Sequence, residues 1–313
     1  METLYIVSPC YNEQEVLPET CRRLTQKLDA LIAAKLVSPD SRIMFVDDGS
    51  KDDTWWLIAQ YHKDNPHVTG LKLSRNRGHQ NALLAGLMTA KEYADIVVSL
   101  DADLQDDIDA IDAFVEKYRG GCDIVYGVRS SRKTDSFFKK FTAQLFYKFM
   151  HFLGAEIIYN HADYRLMSRR SIDALEQFRE TNLFLRGIVP LIGLKSDIVY
   201  YERHERFAGE SKYPLKKMLG FAAEGIFSFS IKPIKMITSL GIIVFTASIL
   251  MLLYSLISFL RGVTVQGWTS ILFSVWALGG LQLLAIGVIG EYIGKIYLET
   301  KSRPKFIIEE FLK

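Results

Sequence analysis

The chain has 313 residues, of which 49% are hydrophobic, and a formal net charge of +2 at neutral pH. This length allows one large domain with additions, and the small net charge argues against a general nucleic-acid-binding protein. Cys10, Cys21 and Cys122 lack the density or spacing of a disulfide framework or a metal site, so we expect reduced thiols facing the cytosol. Residues 1–8 carry no basic segment ahead of an apolar run, so no cleaved signal peptide is expected.

The first half of the chain alternates between segments typical of buried strands and segments with helical periodicity. The predicted strands cover residues 4–9, 43–48, 68–73, 96–100 and 123–127. The predicted helices cover residues 15–34, 51–62, 78–91 and 108–118. This alternation predicts a doubly wound α/β sheet, in which ligands gather at the carboxyl ends of the strands. Residues 160–166, 196–202 and 206–213 are predicted to add further strands and loops that close over the site.

Acidic side chains follow two of these strands. Asp101 and Asp103 come directly after the strand at 96–100, and Asp48 ends the second strand. Residues two apart on an extended chain point to the same side, so Asp101 and Asp103 can converge on one divalent cation, with the Gln105 oxygen as a third ligand. Oxygen ligands favour Mg²⁺ or Mn²⁺ over zinc. The alternative is that these acids only cap the helix that follows.

The last third of the chain contains two long runs without charged residues. No Asp, Glu, Lys or Arg occurs in residues 236–260, and after Arg261 none occurs until Glu291. Each run exceeds the roughly 20 apolar residues that cross a bilayer, which predicts two transmembrane helices. The alternative is a buried helical hairpin in a soluble protein.

Basic residues flank both apolar runs, and the short turn between the runs holds only Arg261. By the positive-inside rule, both termini are expected in the cytoplasm. The chain would then have four parts: a cytosolic catalytic domain (1–212), an amphipathic juxtamembrane segment (213–235), two membrane helices (236–290) and a cytosolic basic tail (291–313).

Short motifs recur in a fixed order along the chain. In the N-terminal part they are Ser8-Pro9-Cys10-Tyr11-Asn12-Glu13, Val46-Asp47-Asp48-Gly49-Ser50, Asn76-Arg77-Gly78 and Asp101-Ala102-Asp103-Leu104-Gln105. Later ones are Gly127-Val128-Arg129, Asp163-Tyr164-Arg165-Leu166-Met167-Ser168, Arg206-Phe207-Ala208-Gly209-Glu210-Ser211-Lys212-Tyr213 and Gly290-Glu291-Tyr292-Ile293-Gly294-Lys295-Ile296-Tyr297. Together they resemble family 2 glycosyltransferases of GT-A fold. Within that family the chain resembles the polyprenyl-phosphate glycosyltransferases, which include dolichyl-phosphate mannose synthase and bacterial undecaprenyl-phosphate glucosyltransferases.

The resemblance covers nearly the whole chain and implies a role for individual residues. The nucleotide-sugar would be held by Pro9, Tyr11, Asn12, Glu13, Asp48, Arg77, Asp101, Ala102 and Asp103. A Mg²⁺ or Mn²⁺ ion would be held by Asp101, Asp103 and Gln105. The acceptor phosphate would meet Arg129, Arg165, Arg206, Ser211 and Lys212. The catalytic set would be Asp101, Asp103, Asp163, Arg129 and Arg206. One departure from the family is Asp106-Asp107, where relatives often have Asp-Pro.

The resemblance also implies the reaction. The enzyme would transfer a hexose, with glucose from UDP-glucose as the first choice, to undecaprenyl phosphate, with inversion at the anomeric carbon. The reaction would take place at the cytosolic leaflet of a bacterial inner membrane and serve cell-envelope glycosylation. UDP-N-acetylglucosamine or another sugar is the alternative donor. A lipid monophosphate is already ionised near neutral pH, since its second pKa is about 6, so no strong general base is required. We therefore interpret Asp163 as orienting Arg165 or the sugar, with a base role as the alternative.

The implied partners are the nucleotide-sugar, the polyprenyl phosphate, membrane lipids and further copies of the chain, by resemblance a tetramer. Two other functions remain open. A processive polysaccharide synthase usually carries a Gln-x-x-Arg-Trp motif and more spans, but none of the four tryptophans here follows an arginine. A non-catalytic membrane module that binds nucleotide-sugar would not need both the acidic motif and the phosphate-binding candidates.

Overall fold

The computed structural model describes residues 1–130, 161–180, 184–202, 232–261 and 267–313. The chain divides into two compact units. The first comprises Met1–Tyr147, Ile157–Tyr213 and Arg303–Lys313, and the second comprises Lys148–Glu156 and Pro214–Ser302. Arg206, Ser211, Lys212 and most of the predicted juxtamembrane segment lie outside the described residues.

The first unit follows the predicted alternation of strands and helices. Its N-terminal elements are β1 (Leu4–Cys10), α1 (Leu17–Ala33), β2 (Arg42–Asp47), α2 (Thr54–Asp64), β3 (Val68–Leu73), α3 (His79–Ala90), β4 (Ile96–Ser99), α4 (Ala110–Arg119) and β5 (Ile124–Arg129). They are followed by β6 (His161–Ser168), α5 (Arg169–Glu176), α6 (Leu185–Leu191) and β7 (Ser196–Tyr201). The predicted α/β class is therefore confirmed, with element ends that differ by a few residues.

The described strands of this unit form one mixed sheet of eight strands, in the order β7-β5-β6-β4-β1-β2-β3-β8, where β8 is Ile308–Leu312. Strands β4, β1, β2 and β3 run parallel to one another. Strand β6 runs antiparallel to both β4 and β5, and β7 runs parallel to β5. The carboxyl ends of β1, β2 and β4 therefore meet at one edge of the sheet, which is where a nucleotide crevice forms in open α/β sheets.

The strands at the centre of the sheet are apolar on both faces because helices cover both faces. All seven residues of β1 and all four of β4 are buried, a pattern typical of parallel strands. Helix α3 lies very close to the sheet at Gly86, where an added Cβ would clash with the side chains of Val7 and Val46. The absent side chain at Gly86 thus sets the distance between α3 and the strands that carry the site.

The end of the predicted basic tail contains a strand that the sequence analysis did not predict. Residues 308–312 form β8, which pairs antiparallel with β3 and places Leu312 opposite Gly70. The Lys72 ammonium lies 3.3 Å from the Glu309 carboxylate, and the ring of Phe311 packs 5.9 Å from that of Tyr93. The tail therefore covers the edge of β3 that would otherwise expose unpaired backbone groups.

The described part of the second unit consists of two long helices, α7 (Lys232–Leu260) and α8 (Trp268–Lys301). Both predicted apolar runs are therefore helical where they are described. One segment, Leu278–Lys301 in α8, is long and apolar enough to cross a membrane by length and composition. Among the described residues this is the one segment that meets both conditions. The pair of spanning helices is therefore not confirmed and stays a prediction.

Candidate active site

The loops that follow β1 and β2 are joined by hydrogen bonds at the carboxyl edge of the sheet. The amide of Asn12 donates to Ser50 Oγ at 3.0 Å, and Asn12 Oδ1 accepts from the amide of Lys51 at 2.9 Å. The amide of Glu13 donates to Thr54 Oγ1 at 3.0 Å. These bonds bring the predicted nucleotide-binding residues at positions 11–13 next to the acidic end of β2.

Asp48 fastens this edge to the beginning of α3. Its buried carboxylate accepts hydrogen bonds from the amides of Arg77 at 2.7 Å and Gly78 at 2.8 Å. Burial raises the pKa of Asp48 above its usual value, and the hydrogen bonds from the two backbone amides oppose that rise. Next to it, Gly49 has a φ of +68°, and an added Cβ would lie 2.6 Å from the amide nitrogen of Asn76. Asp48 thus positions the 76–78 loop, and its contact with the nucleoside stays a prediction.

Asp101 lies just beyond the end of β4. Its Oδ1 is buried and has no hydrogen-bond partner in the part of the chain that the structure describes, although His79 Nε2 lies 3.4 Å away. Burial raises the pKa of Asp101 to about 6, against the effect of His79 and helped by the carboxylates of Asp106, Asp163 and Asp103. A buried carboxylate oxygen without a donor is well suited to a hard cation.

The rest of the predicted metal set lies on a tight turn. Leu104 has a left-handed φ of +57°, and Asp103 Oδ1 accepts from the amide of Gln105 at 3.2 Å. The buried Ala102 carbonyl accepts from Thr20 Oγ1 at 2.7 Å, which ties the turn to α1. Among the described residues no group of three or more His, Cys, Asp and Glu side chains is placed to hold a metal ion. The oxygen donors and the unpartnered Asp101 atom fit a divalent cation, and the full ligand set stays a prediction.

Asp163, on β6, is a buried junction for four neighbouring side chains. Its Oδ1 accepts from Arg165, and its Oδ2 accepts from Arg186 Nη2 at 2.9 Å and Gln80 Nε2 at 3.1 Å. His79 Nε2 lies 3.9 Å from the same Oδ2. Burial alone would raise the pKa of Asp163, but Arg186 and Arg165 outweigh it and hold that pKa well below its usual range. An anion held in this way is a poor proton acceptor at neutral pH.

Arg165 does not fit its predicted contact with the acceptor phosphate. The side chain is 1% exposed, and its guanidinium is enclosed between Asp163 and the Leu185 carbonyl, to which Nη1 donates at 3.4 Å. A buried guanidinium paired with a carboxylate in this way has no surface for a ligand. In this structure Arg165 is paired with Asp163, and the interpretation that Asp163 orients Arg165 or the sugar stays a prediction.

Arg129 lies at the end of β5, beside Tyr201 and Asp106, to which the sequence analysis assigned no function. Its Nε donates to the hydroxyl of Tyr201 at 3.3 Å, and its Nη2 lies 3.5 Å from Asp106 Oδ1. The Tyr201 hydroxyl donates to the same Asp106 oxygen. Burial and the Asp106 carboxylate raise the pKa of Tyr201 above its usual value, so it stays a donor. The Arg129 side chain remains 26% exposed, and its contact with the acceptor phosphate stays a prediction.

Comparison with known proteins assigns the chain to a family. Residues 5–176 match the family described as Glycosyl transferase family 2. The chain belongs to this family. It is therefore a glycosyltransferase with an α/β fold of the GT-A type, and the resemblance drawn from its motifs is confirmed.

Several relatives of this family 2 glycosyltransferase match it over almost their full length. A Bacillus subtilis (strain 168) protein named uncharacterized glycosyltransferase YkoT is 58% identical over 98% of this chain and 91% of its own. The bactoprenol glucosyl transferase of Shigella phage SfII is 40% identical over 97% of both chains. Among solved structures, the mannosyltransferase PcManGT from Pyrobaculum calidifontis, in complex with GDP-Man and Mn²⁺, is 17% identical with a TM-score of 0.44, over 95% of this chain and 85% of that one.

Four side chains of this family 2 glycosyltransferase were not predicted as site residues: His79, Gln80, Arg186 and Tyr201. His79 and Gln80 directly follow the Asn76-Arg77-Gly78 motif, which was a usable signal. Arg186 and Tyr201 had no such signal, because Arg186 reaches the site through the packing of α6 against β6, and Tyr201 through the pairing of β7 with β5. The predicted residues Arg206, Ser211 and Lys212 are outside the described residues.

Proposed function

We propose that this enzyme transfers a hexose from a nucleotide-sugar to a polyprenyl phosphate, with UDP-glucose as donor and undecaprenyl phosphate as acceptor. The observation that carries the proposal is the 39–40% identity to proteins named as bactoprenol glucosyl transferases or their homologue, over 97–98% of the chain. The match includes the long C-terminal helices as well as the catalytic unit. The product would be a polyprenyl-phosphate-sugar that serves as donor for cell-envelope glycosylation.

The geometry of the site suits a reaction with a nucleoside diphosphate as leaving group. Asp101, Asp103 and Gln105 would hold Mg²⁺ or Mn²⁺, and the bound cation would supply positive charge that stabilises the departing diphosphate. The joined loops at residues 11–13 and 48–51 offer a rigid support for the nucleoside. Asp48 would keep the 76–78 loop in place for the same ligand.

Asp163 and Arg129, together with the predicted residues beyond them, suit a reaction with an anionic nucleophile. The acceptor phosphate needs no base to ionise near neutral pH, and Asp163 is held as an anion by guanidiniums. We assign Asp163 a positioning role. Arg129, with Arg206, Ser211 and Lys212, would bind the acceptor phosphate, because an arginine fork can bind phosphate oxygens in pairs. Attack from the side opposite the diphosphate would invert the anomeric carbon.

A polyprenyl acceptor stays in the bilayer, so the enzyme gains from being held there. Anchoring turns a search through solution into an encounter along a surface. We propose that α7 and α8 both span the membrane, with the segment 213–235 at its interface and both termini in the cytoplasm. The apolar Leu278–Lys301 segment supports one of these spans. We also propose that the chain assembles as a homo-oligomer, a tetramer by resemblance.

The test is transfer by the purified full chain with short-chain polyprenyl phosphate and a panel of nucleotide-sugars, followed by mass spectrometry of the lipid. We expect a glucosylated lipid phosphate from UDP-glucose, lost with EDTA and restored by Mg²⁺ or Mn²⁺. A product from UDP-N-acetylglucosamine alone would correct the sugar. Release of nucleoside diphosphate that does not depend on lipid phosphate would contradict the acceptor.

Two variants assign the roles of individual residues. Asp103→Asn should abolish transfer while membrane insertion is retained, and the exposed Asp29→Asn is the matched control. Wild-type rates in Asp103→Asn would end the metal assignment. Arg206→Ala should raise the KM for the acceptor, and an effect confined to nucleotide-sugar binding would refute its proposed role.

A further inference from the structure

Hydrogen bonds fix the end of β5 to the end of β7. The carbonyl of Tyr201 accepts from the amide of Ser130 at 2.9 Å and from Ser130 Oγ at 3.0 Å. Arg129 stands opposite Tyr201 in the parallel pairing of the two strands. The backbones of Arg129 and Tyr201 are therefore held side by side, which brings the guanidinium within reach of the phenol hydroxyl.

The ring of Tyr201 packs in a space that a glycine leaves open. Gly127 lies on β5, and an added Cβ there would stand 3.0 Å from the Tyr201 ring and 2.9 Å from the Tyr164 carbonyl oxygen. The rings of Tyr164 and Tyr201 meet edge to face, with centroids 5.2 Å apart. Because Tyr201 is 3% exposed, this packing leaves its ring little freedom to turn.

The Tyr201 hydroxyl joins a buried carboxylate to the guanidinium of Arg129. It donates to Asp106 Oδ1 and accepts from Arg129 Nε at 3.3 Å, while Arg129 Nη2 lies 3.5 Å from the same Asp106 oxygen. The Asp106 side chain is 1% exposed and the Arg129 side chain 26%. An arginine carries five N–H donors, and these two contacts use two of them. Asp106 and Tyr201 thus hold one edge of a guanidinium that is itself partly exposed.

The charges around Arg129 act in both directions. Burial would lower the pKa of Arg129, and the like charge of Arg186 adds to this effect. Tyr201 and Asp106 outweigh both and raise that pKa, so they stabilise the charged guanidinium where it stands. Asp106 also raises the pKa of Asp101 at the proposed metal site. Tyr201 is therefore the residue whose change disturbs Arg129 without altering the charge near the metal.

We propose that Tyr201 and Asp106 are positioning residues for the acceptor phosphate, because they hold the Arg129 guanidinium in the orientation in which its other N–H donors meet the phosphate. The inference rests on the proposed function, since it takes Arg129 to bind the lipid phosphate. A side chain that is already ordered loses less conformational freedom when its ligand binds. The pair should therefore affect the affinity for the acceptor and not the affinity for the nucleotide.

The test titrates short-chain polyprenyl phosphate, and separately UDP with Mn²⁺, into the purified full chain in a calorimeter. Arg129→Ala should weaken acceptor binding about 10- to 100-fold, because a hydrogen bond between charged groups is lost. Tyr201→Phe keeps the ring and removes only the hydroxyl, and it should weaken acceptor binding about 3- to 10-fold. In transfer assays the KM for the acceptor should rise accordingly, with the affinity for UDP unchanged.

A double variant tests whether Tyr201 acts through Arg129. Tyr201→Phe combined with Arg129→Ala should bind the acceptor no more weakly than Arg129→Ala alone. Additive losses would overturn the inference, because Tyr201 would then contribute without Arg129. Asp106→Asn keeps the size of the side chain and should also weaken acceptor binding, and it decides the question if Tyr201→Phe does not fold.

The matched control is Tyr164→Phe. Tyr164 is also a buried tyrosine, and its hydroxyl donates to the Asp107 carbonyl at 2.8 Å, one residue beyond Asp106. Loss of this hydroxyl should lower the melting temperature as Tyr201→Phe does, but leave the affinity for the acceptor at the wild-type level. An equal loss of acceptor affinity in Tyr164→Phe and Tyr201→Phe would overturn the inference, because both hydroxyls would then only support the loop.

The failure of this inference differs from the failure of the proposed function. If Arg129→Ala weakens acceptor binding while Tyr201→Phe and Asp106→Asn leave it unchanged, the positioning role is wrong and the acceptor assignment stands. If the wild type neither binds nor glycosylates the lipid phosphate, the proposed function is wrong and the positioning role is overturned with it. Wild-type acceptor binding by Arg129→Ala would overturn the positioning role together with the assignment of Arg129.

Discussion

Replacement of Asp101 by Asn should stabilise the metal-free enzyme while it removes activity. The Asp101 oxygen Oδ1 is buried without a hydrogen-bond donor among the described residues, and three other carboxylates raise the cost of its charge. Asn keeps the size of the side chain and removes the charge. Such a gain in stability at the expense of function is expected where a site holds a group in a costly state for its ligand.

The magnitude follows from the pKa of this carboxyl. Its value rises from 3.8 to about 6 on folding, and each pKa unit corresponds to 1.36 kcal/mol, which gives an upper limit of about 3 kcal/mol at neutral pH. The side chain is 33% exposed, so screening by solvent reduces this to about 1–2 kcal/mol. Because the pKa is raised in the folded state, folding is favoured when Asp101 is protonated. The cost is therefore absent below pH 4 and grows as the pH rises through 6.

The assay is thermal unfolding of the purified full chain in EDTA, followed by intrinsic fluorescence between pH 4.5 and pH 8. We expect Asp101→Asn to melt about 2–8 °C above the wild type at pH 8, with the difference shrinking toward pH 4.5. Mn²⁺ should then stabilise the wild type and not the variant. The control is Asp29→Asn, an exposed carboxylate on α1, for which no pH-dependent gain is expected. An Asp101→Asn variant equal to or less stable than the wild type at pH 8 would refute the reasoning.

Three further substitutions or truncations test the architecture. Asp163→Asn should lower the free energy of unfolding by about 3–5 kcal/mol, because it leaves the buried Arg165 without a carboxylate. Urea unfolding measures this loss, and a loss below about 1 kcal/mol would contradict the pairing. Gly49→Ala should lower the free energy of unfolding by about 1–3 kcal/mol, because the φ of Gly49 is +68° and the new Cβ would clash with the backbone at Asn76. Calorimetric titration with UDP should also show weaker binding. An unchanged free energy of unfolding would contradict the close approach. Removal of residues 308–313 should expose the edge of β3, lower the melting temperature and promote aggregation in light scattering, whereas an unchanged melting temperature would show that β8 is dispensable.

Much of the catalytic unit could be predicted from local patterns. The apolar runs that end in polar residues mark β1, β2 and β4, and the helices between them follow from periodicity. The carboxyl ends of parallel strands meet at one edge, so Asp48, Asp101 and Asp103 could be expected together before the structure was known. The order of the motifs added the family, which the comparison confirms.

The charge network around Asp163 could not be predicted in this way. Gln80 precedes Asp163 by 83 residues and Arg186 follows it by 23, and no local period relates these positions. The burial of Arg165 was likewise hidden, because a motif records which residue is present and not whether its guanidinium faces a ligand or a carboxylate.

The sequence by itself determined the alternation of elements, the acidic ends of two strands and the long apolar helices, because each of these depends on neighbours within a few residues. Only the tertiary structure decided that β6 runs antiparallel, that the C-terminal tail becomes an edge strand of the sheet, and that Arg186 shares Asp163 with Arg165. These features depend on which distant segments pair. Such pairing is selected by the packing of the whole sheet, so no short stretch of sequence encodes it.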